Sequence, residues 1–514
     1  MKNIKFYIII SVLMIGSVSC SKSYLDTKPS DSGSDKAIFE NTDGYKMGMN
    51  GVYRLMTRQY SAFGQGWNGE GTIKYYIGNF GGNNFLLANS GNTASNNQTY
   101  HDNNTSTFVL YPWYYYYALI GNINSLIDGA ESVPGNQAIV KNVKAQALTV
   151  RAYSYMMLSQ LFHKRWIDGK QGEAVNGNGL VLRLQPTLDS QGLASATETY
   201  NQIYADLEEA IKLFEESNVK RSNNFEANIN TAYAVYARAA LIKRDYAKAA
   251  EYAAKAREGY PLMSEKEYIS GFNTPNSEWI WSTTGTMTET IYYYSFFAYM
   301  GYNSNTSTIR TYPRCIYRPL YEQIPATDIR KNMFLNAKDG EFSSTTGFDT
   351  KDSILFKRVE SMKITLPENA KVAAFMQFKF KSLDELSVGH LNHFRSSEMY
   401  LIEAEARYFL KDEAAAQKLL VELNATSKRD PSYTCTATGE DLFNEIKLYR
   451  SIELWGEGFE FFDLKRWGDK IDRKGFKDGG NWKSSYVVTV KPDQYNAWTN
   501  VLPTREVDYN DLLK

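Results

Sequence analysis

Histidine and cysteine are scarce in this chain, with 4 and 3 copies in 514 residues. Three cysteines cannot build a disulfide framework or a Cys-rich metal site. His390 and His393 stand three apart with no third ligand close by, so packing or surface roles are expected and no metal centre is predicted. Charge of one sign is also missing. The 57 basic and 57 acidic side chains cancel, which removes the electrostatic case for a general nucleic-acid binder. Beyond Cys20 no apolar run approaches the roughly twenty residues that span a bilayer. What the chain has in excess is rings: 26 Phe, 38 Tyr and 9 Trp. That is more tyrosine than a core requires, and a ring with a polar tip suits a wet binding surface.

The leading segment reads as a processing signal. Lys2 and Lys5 precede an apolar run from Phe6 to Ile15, then Gly16, Ser17, Val18 and Ser19 precede Cys20. A charged start, a short apolar stretch and small residues mark a secretory leader. A cysteine directly after the small residues resembles the bacterial lipobox, although Ser17 stands where Leu is usual. Cys20 is therefore the expected lipidation site, with residues 1–19 a signal peptide and 20–36 a polar tether. Cys315 and Cys435 are expected to be buried or inert thiols, with a disulfide between them left open.

Residues 37–514 read as one domain. Helical spacing is clear over much of 37–60, 110–260 and 385–475. Thr42 or Asp43 can cap a helix carrying Tyr45, Met49, Val52 and Tyr53. Trp113, Tyr117, Ile120 and Asn124 recur at helical intervals. Ala232, Val235, Ala239 and Ile242, then a break at Asp245, then Ala249, Ala253 and Ala256, resemble a tetratricopeptide-type helix pair. Two stretches break this periodicity. Residues 61–109 and 265–384 are rich in Gly, Asn and rings, and are predicted to be loop-rich. Short strands are expected at 278–281, 353–359, 376–380 and 486–490. The fold class predicted is all-α: degenerate helix pairs forming a superhelical scaffold with a loop-rich, mixed-structure insertion.

Several segments converge on one family. Tyr24-Leu25-Asp26 follows Cys20, Arg151-Ala152-Tyr153 lies in the second helix series, and Asp206-Leu207 in the third. Arg395, Glu398 and Glu403-Ala404-Glu405-Ala406 follow, then Tyr449-Arg450, Glu453-Leu454, Glu457-Gly458 and Asp463-Leu464-Lys465-Arg466-Trp467-Gly468. Leu502-Pro503 with Glu506 and Asn510 closes the series. In this order they resemble the SusD/RagB family, the surface glycan- or nutrient-binding lipoproteins of Bacteroidota. The resemblance implies lipid anchoring in the outer membrane with the body on the extracellular face. It also implies a SusC-like TonB-dependent β-barrel as partner, an oligosaccharide or other nutrient as cargo, no cofactor and no catalysis. Peptide cargo and a non-catalytic interaction scaffold remain alternatives. Two departures stand out. Glu460 replaces a common Arg, and Phe162-His163-Lys164-Arg165 lacks the family's usual Pro.

Sugar rings present C–H faces to aromatic platforms and hydroxyl rims to Asn, Gln, Asp or Arg. Trp67, Tyr75, Tyr76, Tyr293 and Tyr299 are the predicted platforms, with Asn83 and Asn303 as polar contacts. Trp113, Tyr117, Trp467 and at least one of Trp279 and Trp281 are expected to be core. Arg450, Glu453, Glu457 and Arg466 are read as structural ion pairs, although a glycosidase would also need paired carboxylates. Gly64, Gly66 and Gly69 spell GxGxxG, but no strand precedes them and no helix is predicted after them, so a surface loop is expected.

Overall fold

The computed structural model describes residues 35–64, 66–87, 97–167, 179–286, 295–349, 354–384 and 386–514. Cys20, the leader, Tyr293 and the tether up to residue 34 lie outside the described residues, and the predicted tether's last two residues open a short helix, Asp35–Ile38. The body is built from helices α1 (Thr42–Leu55), α2 (Gly69–Thr72), α3 (Thr107–Gly129), α4 (Gln137–Phe162), α5 (Ala196–Ser217), α6 (Ile229–Lys243) and α7 (Tyr246–Ala256). After the middle segment come α8 (Ser396–Phe409), α9 (Glu413–Val421), α10 (Gly439–Glu453) and α11 (Glu460–Trp467). Each of α3 to α9 packs on its neighbour in this sequence. The α6–α7 pair turns as expected: Arg244 takes a left-handed conformation at φ 64°, and Asp245 caps the Lys248 amide. A capping box closes the start of α5, where Ser195 and Glu198 satisfy each other's backbone amides.

The alanines explain the close packing. Ala232, Ala239, Ala249, Ala253 and Ala256 are fully buried and let the helices approach without holes. Family-motif residues act as bolts between them. Arg151 on α4 grips Asp206 on α5 through two bonds of 2.6 and 2.8 Å and reaches Asn124 on α3 at 3.0 Å. Arg238 on α6 holds Glu398 on α8 at 2.6 and 2.7 Å. Trp113, Trp279 and Trp281 are buried, and Tyr117 and Trp467 partly so.

Three two-stranded antiparallel sheets accompany the helices: β1 (Phe85–Leu87) with β3 (Arg314–Ile316), β2 (Trp279–Thr283) with β4 (Leu391–Arg395), and β5 (Ile471–Asp472) with β6 (Thr489–Val490); the middle segment supplies β2 and β3. The middle segment is pinned to the helices by a buried ionic lattice. Arg395 donates to Glu278, Glu453 and Glu457 at 2.7–2.9 Å. Arg429 reaches Glu278 and Glu453, Arg330 reaches Asp328 and Glu453, and Lys379 reaches Glu457. Burial opposes ionisation, yet the Arg395 and Lys379 charges outweigh it and hold the Glu457 carboxyl down to about 2. Arg450 and Arg466 both pair with Asp463, and Arg466 also with Glu405. These pairs are structural, as the sequence predicts.

Several expectations need correction. Asn41, not Thr42 or Asp43, caps α1 with its side chain. α3 begins at Thr107, ahead of Trp113, and runs through Pro112. Residues 353–359 do not make a strand: Ile354–Ser361 is helix, with Leu355 and Val359 four apart on its buried side. Met376 and Gln377 form only isolated bridges, and within 486–490 only Thr489–Val490 is strand. α2 begins at Gly69 and runs on into a π-helix, Ile73–Asn79, so a helix does follow the Gly64–Gly69 motif. Cys315 and Cys435 are free thiols, the first buried. Among the described residues no helix is long and apolar enough to cross a membrane.

Candidate functional site

The site is organised by α2 and its π-helical continuation, whose two sides have opposite chemistry. Glu70 and Lys74 face inward. Glu70 accepts the hydroxyls of Tyr115, Tyr116 and Tyr153 at 2.7–3.1 Å. Burial still pushes its carboxyl above the usual range despite those donors and nearby Lys74. The amides at the start of α2 are already used, that of Glu70 donating to the Met56 carbonyl at 2.8 Å and that of Asn68 to the Thr72 hydroxyl at 2.5 Å, which argues against a dinucleotide phosphate on the glycine motif. Burial lowers Lys74 to about 8, and its ammonium donates to the Glu457 carbonyl at 3.1 Å. The π-helix is clamped by the diagnostic turn at 456–458. Asn79 donates to the Gly456 carbonyl and accepts from the Gly458 amide, both at 2.8 Å. Gly78 lies so close to Gly458 that an added methyl would overlap its carbonyl.

On the other side the π-helix offers Tyr75 and Tyr76 to a connected group of rings. Trp67 stacks on Tyr76 with centroids 5.6 Å apart, and Tyr76 meets Tyr299 at 5.7 Å. Tyr75 stacks on Tyr299 at 4.7 Å. The structure thus brings together four of the predicted platforms from two segments far apart in sequence. Trp67, Tyr76 and Tyr299 are half-buried and keep open surface. The Tyr299 hydroxyl comes close over Gly66 and interacts with that of Tyr76. Gly66 has φ +91°, and any side chain there would meet Tyr299. Behind the rings, buried Arg314 fixes this corner by donating to the carbonyls of Tyr299 at 2.7 Å and Tyr312 at 2.6 Å, its guanidinium 5.2 Å from the Tyr75 ring.

Three predicted residues fall elsewhere. Tyr75 is 3% exposed and sits against Phe80 and Phe85, so it is a core ring that supports the platforms rather than one of them. Asn83 is a corner fastener. Its side-chain oxygen accepts from the Asp472 amide at 2.7 Å and its carbonyl takes the Trp482 indole N–H at 2.9 Å. Its amide, with that of Asn84, donates to Glu460 at 2.8 and 3.0 Å. The departure at Glu460 therefore builds this corner. Asn303 bonds the Ser382 backbone through both ends of its amide and lines a separate cavity of about 580 Å³ with Tyr302. The sequence reading missed the clamp by 456–458 and the Arg314 backing. Asn79 carried no local signal, because its partners lie 377 and 379 residues away.

The chain is thus a helical frame that holds partly exposed rings at a clamped corner. Comparison with known proteins identifies the fold. A model described as the SusD family matches residues 381–511, and one described as starch-binding associating with outer membrane matches 55–241. SusD-like protein P2 of Formosa agariphila is 27% identical over 254 residues, an alignment spanning 48% of this chain and 45% of that protein. A SusD-like carbohydrate-binding protein from Bacteroides vulgatus superposes with a TM-score of 0.74 at 22% identity, covering 92% of this chain and 97% of its own. A laminarin-binding SusD-like protein gives 0.62 at 18% identity, covering 92% and 98%. The chain belongs to the SusD/RagB family. Members of that family are non-catalytic binding proteins.

Proposed function

We propose that this chain is a lipid-anchored, extracellular glycan-binding protein of the outer membrane, which captures oligosaccharide and delivers it to a SusC-like TonB-dependent β-barrel. In this reading residues 1–19 are removed, Cys20 carries the lipid, 20–36 form the tether and 37–514 form one binding body. The observation that carries the reading is the half-exposed Trp67–Tyr76–Tyr299 group on a rigid, motif-clamped corner. Its rings can take the C–H faces of a pyranose while the Tyr76 and Tyr299 hydroxyls meet the rim. Partly exposed rings outside a deep closed cavity favour glycan over an enclosed peptide. Tyr293 is proposed to extend the platform. The carbohydrate-binding and laminarin-binding proteins of like fold support the choice of cargo.

The test is titration of the purified chain with a panel of oligosaccharides, with product analysis alongside. Saturable binding without turnover is expected. Trp67→Ala and Tyr299→Ala should each weaken binding about tenfold or more, the loss of one platform of ~1.4 kcal/mol. Wild-type affinity in both variants, with unchanged melting temperatures, would remove the site.

A further inference from the structure

We propose that the chain carries a second sugar site, in the cavity of about 580 Å³ lined by Tyr302 and Asn303, and that it takes an anionic sugar bearing a carboxylate or a sulfate. This rests on the glycan-binding reading above and adds a ligand class to it. The cavity lies within the roughly 300–1,000 Å³ of small-ligand sites, and its lining shares no residue with the Trp67–Tyr76–Tyr299 group.

The argument begins with its cations. Arg310, Lys363 and Lys381 all line the cavity, and among the described residues none of the three is in an ion pair. The Arg310 guanidinium makes one long contact, from Nη1 to the Glu368 carbonyl at 3.4 Å, and its Nε–H is buried without a protein partner. An unsatisfied buried donor is costly, and a planar guanidinium suits bidentate recognition of carboxylate or sulfate. Positions are fixed by backbone. The Lys371 amide bonds the Arg310 carbonyl at 2.8 Å, and Lys381 is held through its amide to Gly271 at 3.0 Å and its carbonyl from Asn273 at 2.8 Å. Lys363 is in the left-handed region at φ 58° just past the helix Ile354–Ser361, a place that favours Gly or Asn.

Two carboxylates share the lining, and their duties differ. Asp384 is committed to a turn, accepting from the Leu386 amide at 3.0 Å. Glu368 is an acceptor for sugar hydroxyls, which a purely cationic pocket could not receive. Tyr302, braced edge-on against Phe378 at 5.5 Å, supplies the ring wall. Three cations, one acceptor available for hydroxyls and one ring make a site for a charged sugar rather than a neutral one.

The experiment is calorimetric titration of the full chain in detergent with three probes of equal length: an oligogalacturonate, a sulfated galactan oligosaccharide and a neutral galactan oligosaccharide. At least one anionic probe should bind tenfold tighter than the neutral one at low salt. Arg310→Gln with Lys381→Gln should bring that ratio near one, while Arg310→Lys should keep part of it. Preference for the uronate alone assigns a carboxylate ligand, and preference for the sulfated probe alone assigns a sulfate ester. Equal affinity for all three probes, or no binding of either anionic one, overturns the cavity proposal. Neutral binding that Trp67→Ala abolishes would still leave the ring-cluster reading standing, and its absence from an oligosaccharide panel would sink that reading separately.

Discussion

Trp67 and Tyr75 are joined through Tyr76, yet they do different work. Trp67 stays partly exposed, though Phe63, Tyr76, Phe108 and Tyr111 surround it, while Tyr75 is buried, and composition treats both alike because each is a ring in a glycine-rich segment. Only the π-helical register turns one neighbour outward and the other in. Glu460 shows how far a single residue can depart from its family and still be used. Burial raises its carboxyl to about 7, although the amides of Asn83 and Asn84 donate to it. The folded value lies above the unfolded 4.5, so this group's contribution is fully present below about pH 4.5 and is lost as the pH rises through about 7. Glu460→Gln has no such titration. The unfolding free energy of wild type minus that of the variant should fall by roughly 1–2 kcal/mol between pH 4.5 and 8, discounted because part of Glu460 meets solvent. Urea melts across that range check it, and a flat difference would reject the assignment.

At the scale of elements, the helices with regular apolar spacing were legible and the π-helix was not. Ile73–Asn79 is short and ends in Gly78-Asn79; Ile73 and Ile77 bury one side, but the clamp at 456–458 that holds the other end has no local sequence signal. Strand-like composition misled at 353–359 for a related reason: a half-buried single helix needs only Leu355 and Val359. Gly78→Ala tests the clamp. Its methyl would meet the Gly458 backbone, which cannot swing aside as a side chain can. The expected cost is about 1–3 kcal/mol of stability together with at least a tenfold fall in oligosaccharide affinity, read by melting and titration on the same sample. Lower stability with unaltered affinity would show that the rings do not depend on this contact.

Over the whole molecule, the ionic lattice joins the loop-rich middle to the helices. Its residues were legible as ion pairs from Arg450, Glu453, Glu457 and Arg466, but Glu278, Asp328, Arg330 and Lys379 were not, since nothing local marks a charge that is paired across the fold. Arg395→Met leaves Glu278, Glu453 and Glu457 short of a buried partner. A loss of about 3–5 kcal/mol is expected from denaturant melts, with Arg395→Lys recovering little because an ammonium cannot span three carboxylates in one plane.

The clamp on the π-helix also has a bearing on biosynthesis. The early helices can pair as soon as they are made, but Asn79 waits for Gly456 and Gly458, and the corner at Asn83 for Asp472 and Trp482. A chain cut short before those residues lacks the partners that hold Asn79 and Asn83. The ring corner is therefore coupled to the tail: the bonds that hold Asn79 and Asn83 come from residues made last.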